Sequence, residues 1–157
     1  MNIENIWQQP EIIRWSQILA NSYQKLLGKK LIETATTPLE LAEALYHAPF
    51  AIVSHDTQAD PVFNYGNQTA LKLWSISWEK LIQTPSRLSA EPVNRATRAA
   101  MLERAATQGY IDNYQGVRIS TTGKRFAIER AIIWNLTDES GEKCGQAATF
   151  SDWTWLS

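Results

Sequence analysis

Thiols and imidazoles are scarce in this chain: one cysteine, Cys144, and two histidines, His47 and His55, stand among 157 residues. A single cysteine excludes an internal disulfide and any cysteine metal cluster. The two histidines lack the helical spacing that would present them together to a metal. No apolar run approaches the roughly 20 residues that cross a bilayer. The opening MNIENIWQQPEII has no basic stretch followed by an apolar one, so no secretory leader is read and a cytoplasmic location is expected. Also missing are a G-x-S-x-G elbow, a phosphate loop and a glycine-rich dinucleotide fingerprint. Those absences remove the common hydrolase, nucleotidase and dehydrogenase readings.

Net charge is small, −1 at neutral pH, which argues against wholesale nucleic-acid binding. The charge is uneven, however. Residues 85 to 130 hold eight Lys or Arg against four Asp or Glu, a local excess of +4 that leaves −5 elsewhere. Seven tryptophans are a heavy load for this length, and such rings mark a core or a lined cavity. A chain of this size is most simply one domain that buries roughly 70% of its unfolded surface.

Periodicity supplies the elements. Residues 10 to 27 read as an amphipathic helix, with Pro10 in the first turn, Ile12, Trp15, Leu19 and Leu26 on one stripe and Gly28 as the stop. Thr37, Pro38 and Glu40 form a capping signature for a second helix carrying Leu41, Ala44 and Leu45, which Pro49 ends. Two short strands, Phe50 to Ser54 and Val62 to Tyr65, flank the polar turn HDTQADP. In PVFNYGNQTALKLW the period then changes from two to 3.6, so a strand feeds a helix running from Asn67 to Trp74. Ser77 caps a further short turn, WEKLIQ. A longer helix is expected from Glu91-Pro92 to Gln108, with Val93, Ala96, Ala99 and Ala100 as a small inner face. Three strands close the chain: Tyr114 to Ser120, Arg125 to Leu136, and Gly145 to Trp155.

This order of two helices, two strands, three helices and three antiparallel strands is that of a PAS domain. The segments FNYGNQTALKLW, PSRLSAEP, GVRIS with G-x-RF, and IWNLTDESG followed by GQAATF closely resemble the MEKHLA family over about residues 10 to 155. The expected class is α+β: a PAS-like five-stranded antiparallel sheet with helices on one face. Residues 1–36 form an N-terminal helical extension and residues 37–157 the PAS-like domain. The resemblance implies a sensory or regulatory module in its stand-alone bacterial form, rather than the plant form fused to a homeodomain and leucine zipper. Output then passes through a protein partner or a homodimer built on the N-terminal helix, with a self-capped monomer as the other arrangement. Covalent flavin sensing in the PAS class needs a cysteine on the helix after the first hairpin, and that helix has none. Haem ligation is not expected from His47 or His55, so the cofactor stays unknown.

Candidate site residues follow from charge and aromaticity. Strict alternation along Arg125 to Leu136 puts Arg130 in one row with Phe126, Ile128, Ile132, Trp134 and Leu136. A buried cation there must meet either a protein carboxylate or an anionic ligand. Arg87, in the turn before the long helix, could share an anion with free helix N–H groups or be structural. Arg95 and Arg98 read as surface residues, with Glu91 four positions before Arg95. Asn64, Tyr65 and Asn67 read as turn and cap residues. Trp74, Trp78, Phe126, Trp134 and Phe150 either line a pocket or form plain core. An isomerase or hydratase using Asp112 or Glu129 with Tyr114 is the enzyme alternative, and a nucleic-acid-associated regulator using the basic stretch is the third reading.

Overall fold

The computed structural model describes residues 5–89 and 95–156. A short 3-10 helix, Ile6–Gln8, leads into α1, Pro10–Leu27. Pro10 occupies the first turn, and Gly28 ends the helix at φ 74°, its N–H donating to the Gln24 carbonyl. Helix α2, Pro38–Tyr46, has the capping box expected of it: Thr37 Oγ1 accepts from Glu40 N while the Glu40 carboxylate accepts from Thr37 N. The remaining helices are α3 (Gln68–Trp74), α4 (Trp78–Leu81) and α5 (Arg95–Gln108).

The strands are β1 (Ala51–His55), β2 (Phe63–Gly66), β3 (Tyr110–Ile119), β4 (Arg125–Thr137), β5 (Lys143–Phe150) and β6 (Asp152–Trp155). They form one antiparallel sheet in the order β2-β1-β5-β4-β3, with β6 also on β4. The pairs Ile132 with Thr149 and Glu129 with Asp152 keep one register, so β5 and β6 are a single run interrupted at Ser151. The fifth strand expected over Gly145 to Trp155 is that run.

Two bulges shape β3 and β4. Ile111 pairs with Ile133 and Gly116 with Ile128 in a common register, but Tyr114, between them, pairs with Ala131, one residue out of step. Asn113 at φ 53° and Arg130 at φ 54° mark the extra residue on each strand. The alternation expected for β4 therefore breaks at Arg130. Phe126, Ile128, Ala131 and Ile133 face the helices α3 and α4, with Phe150, Leu73, Trp74 and Leu81 in the same cluster. Ile132, Trp134 and Leu136 face the other way.

That second face is covered by α1. Ile12, Ile18, Leu19 and Tyr23 pack on Ile52, Trp134, Leu136 and Ala147, with Trp15 and Leu26 at the margin. The Trp134 indole donates to the Leu19 carbonyl at 3.2 Å, and Trp15 Nε1 donates to Ser54 Oγ at 2.9 Å. Burying each such aliphatic side chain contributes about 1.5–3 kcal/mol. The apolar stripe of the N-terminal helix thus packs on the sheet of its own chain, as in the self-capped arrangement. The small face expected on the long helix is also corrected, since Ala96, Ala99 and Ala100 are exposed. Glu91 and Val93, and the side chains of Arg95 and Arg98, lie outside what the structure describes.

Asn67 joins the two halves of the fold. Fully buried, its Oδ1 accepts from Ile52 N (3.0 Å) and Ala70 N (3.1 Å), and its Nδ2 donates to the carbonyls of Leu45 (3.0 Å) and Phe50 (2.8 Å). Asn67→Ala strands those four backbone groups in the interior, so a loss of at least about 3 kcal/mol in denaturant unfolding is expected; a loss under about 1 kcal/mol contradicts this account.

Tyr65 gives an opposite case. Its ring is fully buried against Trp78, and its hydroxyl has no hydrogen-bond partner among the described residues. Burial, followed by the nearby Tyr46, holds the phenol protonated well above the usual tyrosine range. A phenol pKa raised by folding leaves stability intact below about pH 10 and erodes it above, where the unfolded chain ionises. Tyr65→Phe should be as stable as the parent or more so at pH 7, and its stability should fall less steeply between pH 10 and 12.

Candidate functional site

Sheet and helices bound a partly open cavity of about 50 Å³ between β1, β3, β4 and β5 on one side and α3 on the other. Val53, Phe63, Trp74, Ile128, Ile133 and Phe150 supply most of its wall. Polar groups reach it at Ser54, His55, Ser89, Tyr114, Arg118 and Gln146. No carboxylate stands among its described lining residues.

Strand β3 delivers the charged group. Past the Asn113 bulge, period two turns Tyr114, Gly116 and Arg118 to the same face. Arg118 is 8% exposed and Tyr114 4%. The guanidinium carbon lies 5.6 Å from the Tyr114 ring centroid, a cation–π contact. Nη1 donates to the Val117 carbonyl at 3.2 Å and Nη2 to the Tyr114 hydroxyl at 3.4 Å. Gly116 makes this possible: a Cβ there would come within 2.9 Å of the Tyr114 hydroxyl and 3.3 Å of Arg118 Nη1.

Other polar lining groups are occupied. Gln146 donates to Asn135 at 3.0 Å, Ser89 to the Ser86 carbonyl at 2.8 Å, and Ser54 to Asn64 Oδ1 at 2.6 Å. His55 Nδ1 sits 2.8 Å from the Asp56 carbonyl. By contrast Trp74 Nε1 is buried with no hydrogen-bond partner among the described residues.

The residues singled out from sequence are only partly brought together. Trp74 and Phe150 line the cavity, and Phe126 belongs to the same cluster, its ring 5.2 Å from Trp74. Trp134 faces α1 on the opposite side of the sheet, because the bulge at Arg130 reverses the alternation before it. Arg130 itself is exposed, not buried in an apolar row, and donates to Asp152 at 3.0 Å across the strand edge. Arg87 is likewise exposed and pairs with Asp60 at 3.1 Å. Trp78 packs on Tyr65, away from the cavity. Asp112 and Glu129 are exposed, so they do not join Tyr114 as an interior acid. Arg118 was missed by the sequence reading, though the alternation of Tyr114, Gly116 and Arg118 contained the signal.

A model of the MEKHLA domain matches residues 13–155. The chain belongs to the MEKHLA domain family. Curated relatives include the homeobox-leucine zipper protein HOX29 of Oryza sativa subsp. indica, 24% identical over 151 residues that cover 94% of this chain and 18% of that protein. The homeobox-leucine zipper protein ATHB-15 of Arabidopsis thaliana is 22% identical over 94% of this chain and 18% of its own length. The chain thus spans less than a fifth of these relatives. Among solved structures, a PAS domain from Colwellia psychrerythraea superposes with a TM-score of 0.61 at 18% identity, covering 73% of this chain and 92% of that one. A protein described as an RNA-binding light-oxygen-voltage receptor superposes at 0.59 with 20% identity, over 77% of this chain and 34% of that one. At such identities these likenesses establish the fold, and the MEKHLA domain has a PAS-like one.

Flavin does not fit this MEKHLA cavity. Its volume is about a third of the roughly 150 Å³ that admits benzene, and Cys144 packs on the α1 side of the sheet.

The bulge makes its own prediction. Arg130→Ala and Arg130→Gly both lose the exposed Asp152 pair, which contributes little in water. Of the two, glycine adopts φ 54° without strain. The glycine variant should therefore melt above the alanine variant; equal midpoints would show that the bulge stores no strain.

Proposed function

We propose that this MEKHLA domain is a sensory or regulatory module that binds a small molecule inside the sheet-and-helix cavity and transmits its occupancy to a protein partner. What carries the reading is the coincidence, on one interior space, of a buried cation that no carboxylate pairs among the described residues and a buried indole N–H with no acceptor there. Leaving a buried donor unsatisfied costs about 1–3 kcal/mol, and a charge more. The core also bears that cost at Trp7 Nε1 and the Tyr65 hydroxyl, but Trp74 and Arg118 border a space that an acceptor can enter.

A route outward supports the same reading. Ser54 lines the cavity and also accepts the hydrogen bond from Trp15 on α1. Displacement of β1 by an occupant therefore reaches the helix on the far face of the sheet. The homeobox-leucine zipper context of the relatives fits a regulatory use, and a cytoplasmic location is consistent with the described residues containing no helix long and apolar enough to span a membrane.

Protein purified from its own host, weighed by native and by denaturing mass spectrometry, tests this. The native mass should exceed the polypeptide mass by one small molecule that denaturation releases. Equal masses in repeated preparations, together with a metabolite panel that never raises the thermal midpoint, would overturn it.

A further inference from the structure

We infer that the cavity takes a short-chain monocarboxylate, its carboxylate on the Arg118 guanidinium and its alkyl stub against Trp74 and Phe150. This rests on the small-molecule reading above and names the class of ligand. An arginine offers five N–H donors in a planar fork and keeps its charge in proteins. Two of Arg118's donors are used, by the Val117 carbonyl and the Tyr114 hydroxyl. Among the described residues the other three have no acceptor and no carboxylate pairs with the group. Both contacts it does make are to neutral oxygens, one of them long at 3.4 Å. Among the described residues nothing supplies its counter-charge, which a bound anion would.

The site's other donors narrow the ligand further. The Gln146 amide N–H, Ser89 and Ser54 donate to protein acceptors, while the guanidinium and the Trp74 indole N–H keep donors to spare. Arg118 is the one permanently charged group among the described lining residues, so an anionic acceptor is favoured over an amine. One cation balances one negative charge, which favours a monoanion over a phosphate dianion. A planar carboxylate also matches the guanidinium fork in two parallel bonds. Size sets the rest: 50 Å³ holds roughly three or four waters, the space of formate, acetate or propionate. The wall beyond the polar end is Val53, Phe63, Ile128 and Phe150, where an alkyl group is at home and a second charge is not.

The test uses the full chain, nitrogen-15 labelled, with two-dimensional NMR reading the Trp74 indole N–H and the Arg118 Nε–H. Formate, acetate, propionate and butyrate are titrated against propionamide, methylammonium and inorganic phosphate, with chloride holding ionic strength constant. Both resonances should move saturably with acetate or propionate, and propionamide should bind at least tenfold more weakly. Arg118→Gln should lose at least tenfold in affinity and Trp74→Phe several-fold. In chloride alone Arg118→Met should melt no lower than the parent, since it removes an uncompensated charge. Gly116→Ala keeps the charge but crowds its seat, so it should weaken binding and reads the same site should the Arg118 variants fold poorly. Carboxylates that leave both resonances unmoved, an Arg118→Gln protein that binds them as well as the parent, or a sharply destabilised Arg118→Met overturns the inference. If propionamide or methylammonium occupies the cavity and carboxylates do not, the carboxylate assignment falls and the small-molecule reading stands. Should no probe bind and host-purified protein carry no compound, both fall.

Discussion

One side-chain amide holds the architecture together. Asn67 uses both lone pairs and both N–H groups in a fully buried position, and each goes to a different piece of backbone: the end of α2, the approach to β1, β1 itself and the first turn of α3. These are the places where the chain passes from helix to strand and back. Each has a backbone group that regular structure cannot satisfy. Because Asn67 caps α3, it also sets where Trp74 enters the cavity, seven residues along that helix. The far end of α3 is tied down separately, by Thr121 N donating to the Trp74 carbonyl and Thr121 Oγ1 to the Ser75 carbonyl. The aromatic wall is therefore held from both ends.

The bulges on β3 and β4 solve a different problem. Strand β4 packs against α1 over one part of its length and against the cavity over the other, and a regular strand would present a single row of residues to each face throughout. With the extra residue at Arg130, small Ala131 and Ile133 face inward, and Trp134 turns out against α1, where its indole finds the Leu19 carbonyl. Without it, Trp134 would stand in the cavity and fill it. The compensating bulge at Asn113 restores the register, so Gly116 and Arg118 still meet their partners on β4. Interior space and its charged group both depend on this pair of irregularities.

This division explains what could be read from the sequence. Caps and turns were legible because their chemistry is local: Thr37 with Glu40, Asn67 before α3, Ser77 before α4, and Gly28 after α1 each act within four residues. The strand order and the sheet were legible from the hairpin and the meander. Arg130 was misplaced because period-two reasoning assumes an unbroken pleat, and nothing in the composition of FAIERAIIW marks a bulge. Asn113 carries a weak mark, being a residue that tolerates positive φ. The outward face of α5 was misread for a related reason: small residues permit close approach but do not compel it, and Ala96, Ala99 and Ala100 are exposed.

Electrostatics separates the arginines more sharply than sequence position does. Arg130 and Arg87 drew attention as candidate anion sites, yet each has an exposed carboxylate partner, Asp152 and Asp60, in a setting where water and salt screen the attraction. Arg118, in the unremarkable segment GVRIS, is withdrawn from water beside an aromatic ring and a cavity. The same unit charge costs little in the first two positions and several kcal/mol in the third. Local excess charge over residues 85 to 130 therefore says little about binding until burial is known. Exposed cations set the field around the molecule, whereas a buried cation facing a cavity with no carboxylate among its described lining residues lacks that screening and is where an anion would be held most tightly.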